Sequence, residues 1–335
     1  MTTISDEQLV SYADRVKGKV VVITGGASGI GKQASLLFGK HGAKVVIGDL
    51  NKAGADAVVN QIKKAGGDAA SVEVNVLNWD QLVDLFEFAI TRFGAVDVVV
   101  PNAGVNETDK VCDGTVVLKD GRPVQPKLLT LQINLTAVVH TVHLGLYYMK
   151  KIRKEGDWKS VVMIGSMASW QGIPLAPQYS ASKHAVLGFM RSIEKIVARD
   201  NVRVATIHPW FADTNILPFV VKLALAGIPL TPVDRIAAAI FYAATDPDPE
   251  TNGLPWLLPD EGPVFRVDRE QLTLGVYGLM DQRVKRLGTF AENVKLSVLL
   301  VRDLIKLFFG KSIVAIVPLL AFAYALRSGL VEWPF

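Results

Sequence analysis

A doubly wound α/β fold, a parallel sheet with helices on both faces, is what the 335-residue sequence predicts, on three observations. Short β-branched runs alternate with segments of helical period. The runs are apolar throughout, as expected of strands buried on both faces. Glycine, asparagine, aspartate and serine gather where the runs end. In such folds ligands bind outside the carboxyl ends of the strands, so chemistry is expected there.

In chain order the strands are "KVVVITG" (19–25), "AKVVIGD" (43–49), "SVEVNV" (71–76), "VDVVVPN" (96–102), "SVVMIGS" (160–166) and "VRVATIHP" (202–209). Between them lie amphipathic helices. One places Leu82, Phe86, Ala89 and Phe93 on a single face, a second Leu131, Leu135, Val138, Val142 and Leu146, and a third Val186, Met190, Ile193 and Val197. The polar stretch "LKDGRPVQPK" reads as a surface hairpin or loop.

Half of the residues are hydrophobic, and the mean hydropathy is +0.30. Large buried faces or a membrane-facing segment follow. The net charge of +4 is spread without a basic block, which argues against a nucleic-acid partner. Cys112, the single cysteine, excludes an intrachain disulfide, and "MTTISDEQ" lacks the basic and apolar regions of a secretory signal. A reducing, cytoplasmic setting is the expectation.

The first strand runs into "TGGASGIG" and then into a helix carrying Ile30, Ala34, Leu37 and Phe38. Thr24, Gly25, Ser28, Gly29, Ile30 and Gly31 then form a turn whose amides approach a pyrophosphate at the positive end of the helix. The second strand ends at Asp49, followed by Leu50. A carboxylate there accepts hydrogen bonds from both ribose hydroxyls and repels a 2′-phosphate, which favours NAD over NADP. Lys52 is close enough in sequence to weaken that repulsion. Asn75 and Val76 end the third strand beside the adenine position, and Asn102, Ala103 and Gly104 let the chain pass close to the cofactor.

These motifs, with the Asn of "LQINLTAV" and with Ser166, Tyr179 and Lys183, resemble the short-chain dehydrogenase/reductase family over about residues 17–262. The resemblance implies a Rossmann-type sheet of about seven strands and a catalytic tetrad of Asn134, Ser166, Tyr179 and Lys183. It also implies nicotinamide contacts from Pro209 in "HPW" and from Thr214, and a homodimer or homotetramer. Asn134 would hold a water linking Lys183 to solvent; as a bare residue it reads equally as a buried amide at a helix kink.

The chemistry of the other three can be argued from the residues. Tyr179 and Lys183 are four apart and share a helix face. A phenol titrates near pH 10, and a neighbouring ammonium favours the phenolate. Tyr179 is then the base for a substrate hydroxyl, with Ser166 hydrogen-bonding the reacting oxygen. His140 and His143 lack a third metal ligand and read as helix packing, so no metal is expected. Ser166 lacks the G-x-S-x-G context of a hydrolase.

Trp210 stands where the family usually has glycine. With Phe211 and Trp170 it points to a bulky hydrophobic alcohol or ketone as substrate, or else to rings that pack the lid against the core. The alternatives are a membrane-associated lipid or sterol dehydrogenase and a dinucleotide-binding regulatory protein without turnover.

The expected organisation is a helical N-terminal arm (1–16), a catalytic dinucleotide-binding domain (17–265) and an apolar helical extension (266–335). In the extension Val294, Val298, Val301, Ile305 and Phe308 form a stripe opposite Lys295, Arg302 and Lys306, which suits an anionic membrane surface. Ser312–Leu326 is uncharged but contains Pro318, and as a helix it spans about 22 Å against a hydrocarbon core of about 30 Å. An interfacial anchor through residues 294–326, a subunit-interface arm and a cap over the site are the competing readings.

Overall fold

The computed structural model describes residues 2–109, 111–152, 157–214, 216–217, 222, 225–268, 286 and 293–302. The chain divides into two compact units, Met1–Asp268 and Arg269–Phe335.

The first unit is built on a nine-stranded sheet. Seven parallel strands form its body: β4 (Asp68–Glu73), β3 (Lys44–Asp49), β2 (Val20–Thr24), β5 (Val98–Pro101), β8 (Lys159–Ile164), β9 (Val202–Pro209) and β10 (Pro255–Leu258), in that spatial order. Two antiparallel strands, β11 (Val264–Arg266) and β1 (Thr2–Ile4), complete the edge beyond β10. A small exposed hairpin, β6 (Leu118–Lys119) with β7 (Arg122–Pro123), lies within the polar stretch noted above. The chain turns back across the sheet between β2 and β5, and this reversal opens a crevice at the strand ends.

Helices α1 (Gly29–Lys40), α2 (Lys52–Lys64) and α6 (Val233–Thr245) pack on one face. Helices α3 (Trp79–Phe93), α4 (Leu129–Lys151) and α5 (Pro177–Ala198) pack on the other. The alternation along β2 is the cause. Val21 and Ile23 enter the first core with Phe38 and Phe241, while Val20 and Val22 enter the second with Phe86, Val142 and Met190. Burying each such side chain contributes roughly 1.5–3 kcal/mol. At the far end of the strands the Lys159 ammonium lies 2.6 Å from Asp97, whose other oxygen accepts from the Val20 amide.

The N-terminus differs from the expected helical arm. Residues 1–16 contribute β1 and two 3₁₀ turns, Glu7–Val10 and Ala13–Val16, which bury Leu9 and Val16. Ile4 pairs with Val264, and Arg266 with both Thr2 and Trp256, so the sheet continues across the expected boundary at 265.

In the second unit residues 293–302 are helical, with Val294, Val298 and Val301 exposed. Ile305, Phe308, Lys306 and the Ser312–Leu326 run lie outside the described residues.

Candidate active site

A cleft of about 980 Å³ opens over the carboxyl ends of the parallel strands. One half is a cradle of backbone. Gly25 has φ +69°, and a Cβ there would sit 2.7 Å from Ala103 Cα; at Gly31 it would meet the Gly25 carbonyl oxygen. Only glycine lets β2, the turn and β5 approach this closely. Asn102 ties them together, donating from Nδ2 to the carbonyls of Thr24 (3.0 Å) and Gly25 (2.9 Å). Thr24 Oγ1 in turn accepts from the amides of Asn102 and Ala103. Thr24 and Gly31 therefore shape the turn from behind and do not line the cleft.

Ser28 sits at the head of α1 without capping it by its side chain, and the first turn carries no acid. The orphan amides of that turn suit an anion. Gly29, with φ +51°, lies beneath Thr214, whose Cγ2 would be 3.5 Å from a Cβ there. At the end of β3 the Asp49 carboxylate accepts from the amides of Ala27 (2.9 Å) and Asn51 (2.8 Å). Each oxygen retains acceptor capacity for a hydroxyl. Lys52 does not answer that charge: its ammonium bonds both oxygens of Asp56, at 2.5 and 2.7 Å. Leu50, Asn75 and Val76 line the same half. A phosphate cradle beside an acid placed for a diol fits a nicotinamide dinucleotide.

The other half carries the candidate catalytic groups. Ser166 starts the 3₁₀ turn Met167–Ser169, with Oγ accepting from the Ala168 amide at 3.1 Å. Tyr179 and Lys183 project from the first two turns of α5. The buried Lys183 ammonium donates to the Ile164 carbonyl at 2.8 Å and lies 5.6 Å from the Tyr179 ring centroid. Burial pulls Lys183 down to about 8. The Tyr179 phenol is shifted upward: burial dominates, and the Ser166 hydroxyl pulls the other way. The expected lowering by Lys183 is thus not the net effect in the protein alone, because desolvating the phenolate costs more.

Asn134 occupies a π-helical turn, Gln132–Thr136, where the Ala137 amide reaches back to the Gln132 carbonyl. Such turns occur often at functional sites. Its side chain bonds the Val105 backbone twice, accepting from N–H and donating to C=O, both at 2.8 Å. The side chain lies behind the cleft wall and clamps the loop after β5. Trp170 also departs from expectation. The 3₁₀ turn carries its ring away from the cleft, edge-on to His208 at 5.7 Å and beneath the Arg191 guanidinium at 5.5 Å. Pro209, Trp210 and Phe211 do line the cleft.

Two positioning residues carry no motif of their own. Glu107, from the loop after β5, accepts from the amides of Gln178 (3.4 Å) and Tyr179 (2.9 Å) and so caps α5, which begins at Ala176–Pro177 with no side-chain cap of its own. His208 is fully buried beneath Ser166. Its Nδ1 is 3.0 Å from the Ser166 carbonyl oxygen and its Nε2 2.8 Å from Thr206 Oγ1, and burial lowers its pKa to about 3. His140 and His143 pack against Trp79. Among the described residues no three His, Cys, Asp or Glu side chains group as metal ligands.

Residues 19–222 match the family model described as short chain dehydrogenase. The chain belongs to the short-chain dehydrogenase/reductase family. It is an oxidoreductase of that family, and it is 34% identical over 251 residues to the 15-hydroxyprostaglandin dehydrogenase [NAD(+)] of Rattus norvegicus, covering 73% of this chain and 88% of that protein. It is 31% identical over 242 residues to the 3-oxoacyl-[acyl-carrier-protein] reductase of Thermotoga maritima, covering 69% and 92%. A short-chain type dehydrogenase/reductase from Mycobacterium marinum has the same fold, with a TM-score of 0.64 at 22% identity over 75% of this chain and 97% of that one. So does a 3-ketoacyl-(acyl-carrier-protein) reductase from Brucella melitensis complexed with NADH, with a TM-score of 0.64 at 24% identity over 73% and 98%.

Proposed function

We propose that this family member oxidises a bulky apolar secondary alcohol to its ketone with NAD, and runs the reverse reaction when the ketone is in excess. The observation that carries the reading is a single cleft with the Asp49 carboxylate at one end and Ser166, Tyr179 and Lys183 at the other. Trp210 and Phe211 stand on the substrate side, 42% and 36% exposed. Large rings held unburied at a cleft wall favour an apolar substrate.

Bound in the cradle, an oxidised nicotinamide supplies a hydride acceptor for the carbinol carbon and a positive charge that favours the Tyr179 phenolate. Tyr179 Oη takes the hydroxyl proton as the carbon–oxygen double bond forms. Ser166 Oγ hydrogen-bonds the same oxygen and steadies the charge developing on it. Lys183 fixes the end of β8 through the Ile164 carbonyl and keeps a cation near the ring. Asp49 supports NAD over NADP, since a 2′-phosphate would meet a carboxylate whose neighbouring cation is committed to Asp56. The NAD-dependent relative at 34% identity supports the same choice.

The test is a panel read by absorbance of the reduced cofactor. Methyl nonyl carbinol should be oxidised with NAD at a kcat/KM at least about tenfold above lactate; a preference for lactate contradicts the apolar assignment.

The reading extends to the protein's setting. The family resemblance supports a homodimer or homotetramer in a reducing, cytoplasmic compartment. The exposed Val294, Val298 and Val301, with Lys295 and Arg302 on the same helical stretch, support peripheral contact with an anionic membrane.

A further inference from the structure

The loop between Ser166 and Tyr179 contains a residue that folding alone does not explain. Leu175 has φ +65°, in the left-handed region that favours glycine or asparagine and costs a branched side chain energy. Burial gives nothing back, because Leu175 is 91% exposed. The loop around it is nevertheless fastened. The Ala176 amide donates to the Ile173 carbonyl at 3.2 Å, and the Ile173 amide to Ser180 Oγ on the catalytic helix at 3.0 Å. Prolines 174 and 177 stiffen it further. Five described non-glycine residues have positive φ: Cys112, Asp120, Leu175, Asn201 and Asp260. Of these, Leu175 alone lines the cleft, whose lining also includes Trp210 and Phe211.

Strain held by its surroundings at a ligand cleft points to function. A large apolar side chain held out into that cleft points to what it meets there. We propose that Leu175 is a specificity-determining residue, held exposed in the free enzyme so that the apolar chain of the substrate buries it on binding. This rests on the alcohol dehydrogenase reading above and adds the residue that selects for chain length. Burying a leucine side chain fully corresponds to roughly ten- to hundredfold in affinity. A residue with this role trades stability for binding, which separates it from one that merely builds the loop.

Two variants test the proposal, with methyl nonyl carbinol and the much shorter methyl ethyl carbinol as probes and NAD as acceptor. Leu175→Asn suits the left-handed backbone but lacks the apolar surface. Its Tm should equal or exceed that of the wild type. Its KM for methyl nonyl carbinol should rise about tenfold with kcat little changed, while methyl ethyl carbinol, which offers the side chain little to cover, is affected by less than about twofold. Leu175→Met keeps the apolar surface and should recover the long-chain KM to within about threefold. The proposal is overturned if Leu175→Asn keeps the wild-type KM for the long alcohol, if both alcohols suffer equally, or if its Tm falls by several degrees together with activity. A wild-type enzyme that reduces no NAD with either alcohol overturns the dehydrogenase reading itself, and this inference with it.

Discussion

The two halves of the cleft are built on opposite principles. In the cofactor half the groups that set the shape hold one another: Asn102 bonds the carbonyls of Thr24 and Gly25, Thr24 accepts from the amides of Asn102 and Ala103 just after β5, and Asp49 accepts from the amides of Ala27 and Asn51. Its shape is set by close backbone approach, so it is preorganised for one ligand. In the substrate half large apolar side chains stand exposed on loops, and Leu175 is held in a strained backbone. Preorganisation lowers the cost of binding a fixed ligand, whereas exposed apolar surface gains its energy only when the right substrate covers it. On the proposed reading, cofactor binding and substrate selectivity thus reside in different kinds of structure.

The strongest way to break that division is at the boundary. Tyr179→Phe should lower kcat by roughly 10²–10⁴ while leaving NAD affinity within a few-fold, measured by steady-state rates and calorimetric titration. Retention of full rate would remove the base from the mechanism.

Within the cofactor half, Asp49→Ser should shift the ratio of kcat/KM for NAD over NADP toward NADP by at least about tenfold, without changing the preference between long and short alcohols. A change in alcohol preference would show that the halves are coupled.

Lys183 offers a test by pH. Its folded pKa of about 8 lies below the ordinary 10.5, so the unfolded chain binds this proton more tightly. Its contribution to stability should therefore climb as pH rises from about 8 to about 10.5. The climb should appear as a difference between wild type and Lys183→Met in denaturation midpoints. The opposite slope would mean that a partner, rather than burial, governs the ammonium.

The smallest expected effect is that of Asn102→Ala. Loss of its two bonds to the turn should destabilise the protein by roughly 1–3 kcal/mol in urea denaturation and weaken NAD binding, again with no change in alcohol preference.

The sheet was legible because apolar β-branched runs such as Val202–Pro209 leave a continuous signal, and the cradle because glycine spacing maps directly onto backbone shape. The edge pair β1 and β11 was not legible. Two three-residue strands far apart in sequence have no periodicity to read. Trp170 misled because residue spacing after Ser166 does not reveal a 3₁₀ turn that swings the ring toward His208. For Asn134 the kink was legible, and the two bonds of its side chain to the Val105 backbone were not, because they depend on a loop whose path the sequence leaves open. Glu107 left one usable trace: α5 opens at Ala176–Pro177 without a capping side chain, so an acceptor had to come from elsewhere.

The most direct test of the central claim, that one cleft joins an NAD site to a base for apolar alcohols, is the wild-type initial rate with methyl nonyl carbinol at matched NAD and NADP. The account predicts a kcat/KM for NAD at least about tenfold above that for NADP. Equal or better use of NADP, or no reduction of either cofactor, would contradict it.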